Sequence, residues 1–461
     1  MQEKTRRKTL SRVLSAVCAF SMAATTMVFA MPSVSAAVNG DGNDVVNEAY
    51  AAHESLIPLP PGFCTDTVLA WTPASDPDAR YNRSTVPLET NRFYGPQANP
   101  LASTEAKLMS CSIANSQHDK NNTQGGDTFD CYAYSYWQYT ESYVYWCGTE
   151  EGIFAIPTAD ITDAAHKNGV PVMATLGFPW GSGSGYVQEV DKFCQKAADG
   201  SFPVADKMIE IAEFYGFDGY FFNQESYNCS AEMASRMKEM ILYMHRKAPW
   251  MVISWYDSMI NTGGISYGNG LNSGNEMWMT PDSDGVVPVD QFFCNYNWYD
   301  SNVTNSINIM NRLGRSPFDV FFGLDVQQNG MQTSFSDHLL FGRDGKLRTS
   351  LALYCANSTQ GNSTDPANFH EVEQRFYVNA AGDPFAETSD PSQAGNWEWV
   401  GMARFFADRS VIDSAPFVTN FNTGHGKEWY VDGEASRGSE WNNRSAQEIL
   451  PTWTWTVRSD G

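Results

Sequence analysis

The fold is decided by the stretch that runs from VPVMATLGF (170–178) through ADKMIEIAEFYG (205–216) to GFDGYFFNQE (216–225). The outer two segments are short apolar runs, whereas the middle one spaces its apolar residues as a helix does. Gly216 ends the helical pattern and opens the last run, as is typical of a turn between a helix and a strand. A strand, a helix and a second strand in this order predict parallel strands that helices cover.

The same alternation extends outward on both sides of this stretch. Helical patterns separate further apolar runs, and the clearest of them is SAEMASRMKEMILYMHRKA (230–248), in which methionines recur at helical spacing. The further runs that are typical of buried strands are KLMSCSI (107–113), SYVYWCG (142–148), MVISWYDS (251–258), QFFCNYNW (291–298), DVFFGLDV (319–326) and SLALYCAN (350–357). Eight strands over about 250 residues predict an α/β protein with a (β/α)8 TIM barrel.

The regular pattern divides the chain into four segments. Residues 1–36 are expected to be a signal peptide, 37–104 an irregular lead-in and 105–380 the catalytic barrel. Residues 381–461 lose the alternation and are rich in Gly, Asn, Thr and Trp, which predicts a β-rich C-terminal extension. This tail either wraps the barrel or begins an accessory domain that the chain truncates.

The N-terminus has the composition of a secretory signal. Five basic residues precede a mostly apolar run from Val13 to Met31, and Val34-Ser35-Ala36 offers a cleavage site of small residues. The pattern predicts a secreted or cell-surface protein. No second long apolar run follows, so no membrane insertion is expected after cleavage of the signal.

Composition and charge narrow the class of ligand. The 461 residues include 30 Lys and Arg against 53 Asp and Glu, a formal net charge of −23, and such a field disfavours nucleic acid as a partner. A neutral, hydroxyl-rich ligand is indifferent to this charge. The chain also carries 14 Trp, 21 Tyr and 27 Phe, whose flat faces suit the stacking of sugar rings. Carbohydrate is therefore the first ligand class to consider.

The end of the run GFDGYFFNQE carries the candidate chemistry. The two-residue period of a strand places Asn223 and Glu225 on one face, about 7 Å apart, where barrel enzymes carry their active sites. An amide beside an acid suits substrate-assisted glycoside hydrolysis, in which the 2-acetamido group of the sugar attacks the anomeric carbon and forms an oxazoline. Glu225 would be acid and then base, with a pKa raised by an apolar wall such as Phe221. The alternative is that Glu225 caps a helix or pairs with Arg or Lys.

This segment resembles the catalytic strand of the endo-β-N-acetylglucosaminidases of glycoside hydrolase family 85, whose motif is Asn-x-Glu after an apolar strand. The likeness covers nearly all of residues 70–455. The segments that share it are WTPASDPDARYNRSTVPL (71–88), YWQYTESYVYWCG (136–148), IPTADITDAAHKNGVPVMATL (156–176), VISWYDSM (252–259), FFCNYNW (292–298), DVFFGLDV (319–326) and PFVTNFNTGHGKEWYVDG (416–433).

The resemblance implies a barrel that cleaves between the two GlcNAc residues of the N-glycan core, so N-linked glycans on glycoproteins are the expected partners. It implies that Asn223 orients the acetamide and that Glu225 is the acid/base. Tyr256 matches a tyrosine of the family's pocket, and Trp298 matches an aromatic that stacks on the glycan. Tyr267 stands where an aromatic residue, usually Trp, flanks the substrate.

Three further residues complete the predicted substrate site. Phe221 is expected in its wall, and Asn297 lies on a polar face that would contact sugar hydroxyls. Asp325, like Asp257, ends a strand and would either bind hydroxyls or hold a loop. The seven histidines show no metal-binding spacing, so neither a catalytic metal nor a cofactor is expected.

Two other functions remain open from the sequence. A chitinase-like glycosidase shares the barrel and the mechanism, but its Asp-x-x-Asp-x-Asp-x-Glu motif would need acids where this chain has Phe221 and Asn223. A non-catalytic secreted protein that binds glycans on the same barrel would keep the aromatic residues and tolerate the loss of Glu225.

Overall fold

A computed structural model describes residues 62–113, 123–129, 131–146, 153–183, 185–330, 346–361, 369–379, 381–385, 399, 401–431 and 433–449. Its centre is a closed barrel of parallel strands, in which the last strand pairs with the first. The strands are β1 (Leu108–Ser112), β2 (Thr140–Tyr145), β3 (Val172–Gly177), β4 (Gly219–Asn223), β5 (Val252–Tyr256), β6 (Gln291–Cys294), β7 (Val320–Asp325) and β8 (Ser350–Tyr354). The predicted (β/α)8 barrel is confirmed, and each strand overlaps one of the eight apolar runs.

Helices cover the outside of the barrel. They are α1 (Thr65–Ala70), α2 (Ala79–Asn82), α3 (Ala159–Lys167), α4 (Tyr186–Phe193), α5 (Pro203–Tyr215), α6 (Ala231–Lys247), α7 (Asp300–Arg312), α8 (Val326–Asn329), α9 (Ser358–Gly361) and α10 (Phe369–Tyr377). The helical patterns of the sequence at 158–169, 186–198, 205–216, 230–248 and 301–314 correspond to α3–α7. Helix α4 ends at Phe193, five residues before the end of its pattern, and Gly200, where φ is +88°, lies in the turn before Pro203 opens α5.

Apolar side chains fill both sides of the sheet, which explains why the strands read as continuous apolar runs. Phe221 packs inside the barrel with residues of the other strands, including Met173 and Phe293. Its neighbours Tyr220 and Phe222 face the helices. The alternation predicted for β4 is therefore present, and it sets the direction of the side chains at the end of the strand.

Gly219 lets β4 lie against β5. A Cβ atom built on Gly219 would lie 1.8 Å from the carbonyl oxygen of Val252, its partner in the register of the two strands. Any side chain at this position would push the strands apart. The glycine in the GFDGYFFNQE run thus has a packing function at the start of the strand that leads to Asn223.

The chain on either side of the barrel packs back onto it. The lead-in, predicted as irregular, contains α1, α2 and a short strand, Gly62–Phe63, that pairs with Phe154–Ala155. The tail forms two antiparallel pairs, His425–Gly426 with Trp441–Asn442 and Trp429–Val431 with Glu434–Arg437. The predicted β-rich C-terminal extension is confirmed.

A buried ion pair joins this tail to the barrel. Nε of Arg444 donates to Oδ2 of Asp160, in the first turn of α3, at 2.6 Å, and the two side chains are 3% and 0% exposed. Trp137 makes a second link, because its indole nitrogen donates to Gln447 at 2.5 Å. The described part of the tail therefore packs against the barrel at these two contacts.

We expect Asp160→Asn to lower the free energy of unfolding by about 3–5 kcal/mol, because the Arg444 charge would stay buried without its carboxylate. Urea unfolding measures this change. The matched control is Asp191→Asn, which removes a surface partner of Arg236 and should cost less than about 1 kcal/mol. Equal losses in the two variants would mean that the buried pair does not hold the tail.

Within the described ranges, no helix has both the length and the apolar character needed to cross a membrane.

Candidate active site

The chain beyond β4 stays extended and pairs with the loop that follows β3. The backbone N–H of Phe178 donates to the Asn223 carbonyl at 3.0 Å, and that of Gly181 donates to the Glu225 carbonyl at 3.1 Å. Gln224 is fully buried on the opposite side, where its carbonyl accepts from the Ser258 hydroxyl at 2.7 Å. The alternation of β4 therefore continues past its last residue, with Asn223 and Glu225 on the side of Phe221.

Asn223 and Glu225 are in direct contact. Nδ2 of Asn223 donates to Oε2 of Glu225 at 3.0 Å, and the Tyr267 hydroxyl donates to Oε1 at 2.5 Å. Glu225 is 2% exposed. The structure thus brings together three of the predicted site residues around one buried carboxyl group, and no lysine or arginine accompanies them in these contacts.

Burial controls the acidity of this carboxyl. Desolvation raises the pKa of Glu225 above its usual value, while the hydrogen bonds from Tyr267 and Asn223 act in the opposite direction. Burial, and then the charge of Glu225, raise the pKa of the Tyr267 hydroxyl, so the phenol stays protonated and remains a donor. A carboxyl with a raised pKa can hold a proton and transfer it.

The amide of Asn223 has one atom left for a ligand. The amide nitrogen of Asn223 donates to Oε2 of Glu225, so Oδ1 points elsewhere. Oδ1 is buried and has no hydrogen-bond partner among the described residues. A buried acceptor without a partner is costly, and an N–H group of a bound ligand would satisfy it.

Asp257 holds the loop that carries Tyr267. Its carboxylate accepts from the backbone N–H groups of Gly268 at 3.1 Å and Gly270 at 3.2 Å, and from Nδ2 of Asn275 at 2.8 Å. Burial raises the pKa of Asp257 to about 6, and these donors act against the rise. Of the two roles open from the sequence, the contacts favour the loop.

Tyr256 ends β5 and lies near Glu225. Its hydroxyl donates to Oδ1 of Asn295 at 3.0 Å, and its ring lies 6.1 Å from the ring of Tyr267. Burial, and then the charge of Glu225, raise the pKa of Tyr256. Phe221 lies deeper in the barrel and meets the ring of Phe293 edge to face at 5.6 Å. Tyr256 is close enough to Glu225 to feel its charge, and the roles of Tyr256 and Phe221 toward a sugar stay predictions.

Asp325 and Asn297 are the two other polar residues predicted to contact a sugar. Asp325 ends β7, is 8% exposed and pairs in register with Tyr354 of β8. Asn297 is exposed, and its backbone N–H donates to Oδ1 of Asn269 at 3.2 Å. The contacts of both residues with a sugar stay predictions.

The structure does not bring Trp298 to the site. Its indole packs against Phe322 on the outer side of β7, with ring centroids 5.5 Å apart, and Nε1 donates to the Gly323 carbonyl at 3.0 Å. These contacts do not favour its role as a stacking aromatic, which stays a prediction, because β6 ends at Cys294 and the two-residue period does not extend to position 298. Tyr296 packs against the interior aromatics instead, 5.9 Å from Phe293.

Four aromatic residues at this end of the barrel were not among the predicted site residues. Trp146 and Tyr296 follow the ends of β2 and β6 by one or two residues, and Trp180 and Tyr227 lie on the loops after β3 and β4. The signal that would have found them is position, because loops at the C-terminal ends of the strands carry the active site of such barrels. Among the described residues, no group of His, Cys, Asp and Glu is arranged to hold a metal ion.

We expect Tyr267→Phe to move the basic limb of the pH–rate profile to higher pH. The lost hydrogen bond stabilises the ionised form of Glu225, so its removal raises the pKa of this carboxyl further. Activity that needs a protonated acid then persists to higher pH. The profile of kcat/KM against pH measures the change. The control is Tyr243→Phe, because this tyrosine lies on the outer helices and donates to Asp206. An unmoved basic limb in Tyr267→Phe would contradict Glu225 as the acid that sets this limb.

The solved glycoside hydrolase domain of Endo-D from Streptococcus pneumoniae R6 has the same fold. It is 36% identical to this chain, with a TM-score of 0.77, and the match covers 86% of this chain and 62% of that one. Among curated proteins, the cytosolic endo-beta-N-acetylglucosaminidase of Gallus gallus is 26% identical over 392 residues, and that of Homo sapiens 25% over 395. The chain spans about half the length of these curated relatives, 48% and 46%.

The names of the curated relatives contradict the predicted secreted or cell-surface location. The relatives from Gallus gallus and Homo sapiens are cytosolic enzymes by name. So is the relative from Mus musculus, which is 26% identical over 394 residues. The prediction was wrong. It rested on a basic head and an apolar run within residues 1–36, a compositional pattern that lies outside the described residues and is independent of the barrel that these relatives match.

The family follows from a match that covers more than half of the chain. Residues 114–429 match the model of glycosyl hydrolase family 85. This span contains Asn223, Glu225 and Tyr267, and it confirms the family resemblance seen in the ordered sequence motifs. The chain belongs to glycosyl hydrolase family 85.

Proposed function

We propose that this protein is an endo-β-N-acetylglucosaminidase that hydrolyses the GlcNAc-β1,4-GlcNAc bond in the core of N-linked glycans. The observation that carries the proposal is the contact between Asn223 and the buried carboxyl of Glu225 at 3.0 Å. The printed names of the curated relatives support the same activity. A buried acid with a raised pKa favours catalysis over simple glycan binding, because binding alone does not need a proton donor.

In the first step of the proposed mechanism, Glu225 donates its proton to the glycosidic oxygen. The bond between that oxygen and the anomeric carbon breaks. The acetamido oxygen of the sugar that owns this carbon bonds to it at the same time, which forms an oxazolinium ring. Oδ1 of Asn223 accepts a hydrogen bond from the acetamido N–H, whose acidity rises as positive charge develops. This bond is stronger in the transition state than in the ground state, so it lowers the barrier.

In the second step, the Glu225 carboxylate takes a proton from water while the water oxygen bonds to the anomeric carbon and the oxazolinium ring opens, so the acetamide keeps its N–H. Two displacements at one carbon retain the β-anomer. Tyr267 donates to the carboxylate that the first step leaves, so it lowers the cost of losing the proton. The acid of one step becomes the base of the next, as microscopic reversibility requires.

The test is to incubate the protein with an N-glycosylated protein of known glycan structure and to weigh the product. The proposal expects a protein that keeps one GlcNAc on each released site, and a released glycan with a β-anomeric reducing end before mutarotation. A product without any GlcNAc, or an α-anomer, would contradict it. An unchanged substrate would contradict the activity itself.

A further inference from the structure

The alternation that places Asn223 and Glu225 extends one step farther, to Tyr227. The backbone N–H of Gly181 donates to the Glu225 carbonyl, and the backbone N–H of Tyr227 donates to the Gly181 carbonyl at 2.6 Å. These two bonds make a parallel bridge between Gly181 and Ser226. Ser226 is fully buried, with its hydroxyl donating to the Pro179 carbonyl at 2.7 Å. Tyr227 therefore falls on the side of the chain that carries Asn223 and Glu225.

Two exposed aromatic rings meet at this point. Trp180 is 38% exposed and Tyr227 is 36% exposed, and their ring centroids lie 5.7 Å apart at 65°. Trp180 and Tyr227 also lie close enough to Tyr267 to influence the pKa of its hydroxyl. Large exposed rings next to a buried acid are unusual in a surface that serves packing alone, and they form an apolar corner beside the reacting groups.

The order of the three side chains gives this corner a place along the substrate. In the proposed function, Asn223 holds the acetamide of the sugar on the donor side, and Glu225 protonates the oxygen that leaves. Two residues of extended chain advance by about 7 Å, which is enough to pass from one sugar to the next. Tyr227, one such step past the acid, would lie beside the sugar on the leaving side of the bond.

We propose that Trp180 and Tyr227 form the binding platform for the leaving-side sugar, which is the GlcNAc that stays on the protein. One apolar face of that ring packs against the aromatic corner, and its hydroxyls stay in water. The inference rests on the proposed function, because the leaving side is defined by the role of Glu225. It assigns a sugar subsite to two residues that the proposed mechanism does not use.

The test compares two substrates for each variant. One is a glycopeptide, which has a sugar on the leaving side, and the other is the matching glycan oxazoline, which has none. For Trp180→Ala and Tyr227→Ala we expect kcat/KM for the glycopeptide to fall about threefold to tenfold more than kcat/KM for the oxazoline. Tyr227→Phe keeps the ring and should keep the wild-type ratio. Trp250→Ala is the control, because this tryptophan is 44% exposed and precedes β5 at the opposite end of the barrel.

Every other outcome contradicts the proposal that Trp180 and Tyr227 bind the leaving-side sugar. Equal losses on both substrates would place the rings on the donor side, and no loss on either would make them ordinary surface residues. A loss on the glycopeptide that comes with a shifted basic limb of the pH–rate profile would place them in the support of Glu225. A Tyr227→Phe variant as impaired as Tyr227→Ala would assign the effect to the hydroxyl instead of the ring. If wild type turns over the oxazoline but not the glycopeptide, or neither of them, the proposed function fails first. Thermal unfolding of each variant checks that the fold is intact.

Discussion

Glu225→Gln is expected to lower kcat/KM for an N-glycopeptide by about 10²- to 10⁴-fold, the range for loss of a general acid. Glutamine has the shape of glutamate but carries no transferable proton, so the glycosidic oxygen would leave as an alkoxide. The site around it should change little, because the new amide can still contact Asn223 and Tyr267. We therefore expect glycan binding to persist while the mass of the glycoprotein stays unchanged over the assay.

The matched control is Glu232→Gln in the first turn of α6. The carboxyl of Glu232 is 85% exposed and its ion pair with Arg236 is 3.7 Å long, so its loss should leave the rate within about twofold. The pH profile gives a second check, because the limb that reports the acid should vanish in Glu225→Gln and persist in the control. Activity of Glu225→Gln within tenfold of wild type would show that another group supplies the proton.

The barrel could be predicted from sequence because each of its strands carries the signal within its own residues. Strands buried on both faces read as apolar runs, and the helices between them show their own period, as in α6, where Ser230 caps the first turn and Met233, Met237 and Met244 are buried. The end of α4 was predicted less well. The helix ends at Phe193, with Cys194 as its C-cap, although the apolar pattern continues to 198.

The pairing of Asn223 with Glu225 was predictable for the same reason, since a two-residue period needs no knowledge of the rest of the chain. The contact between Tyr267 and Glu225 was not predictable from spacing, because it depends on a loop that Asp257 holds in place through Gly268 and Gly270. The family resemblance supplied Tyr267 as a flanking aromatic but not its hydrogen bond to the acid.

Trp298 shows the limit of placing residues by motif alone. A strand positions only the side chains within its own length, and β6 ends at Cys294, four residues earlier. The turn after β6 directs Trp298 to the outer layer, where Phe322 and the Gly323 carbonyl hold it. By contrast, hydrogen bonds to the loop after β3 continue the alternation of β4, so predictions at 223 and 225 were safer than a prediction at 298.

Asn223→Ala is expected to lower kcat for hydrolysis by about 10²- to 10³-fold, the range for removal of one preorganised polar group that stabilises developing charge. The change has two effects, one on the pKa of Glu225 and one on the acetamide, and the pH–rate profile separates them. Loss of the Asn223 hydrogen bond raises the pKa of Glu225 further, so the acid stays protonated and the basic limb moves to higher pH. If the reaction is slower while the basic limb moves to higher pH, the loss cannot come from a missing proton on Glu225. It points instead to the acetamide, which Oδ1 no longer holds.

The amide control is Asn311→Ala, an exposed position near the end of α7 that should keep the wild-type rate. A substrate whose reacting sugar carries a 2-hydroxyl in place of the acetamido group tests the pairing directly. Wild type should lose most of its activity on it, and Asn223→Ala should lose little more, because the two changes remove the same interaction. If the losses multiply instead, or if Asn223→Ala hydrolyses the natural substrate at the wild-type rate, the acetamide is not the nucleophile that Asn223 positions.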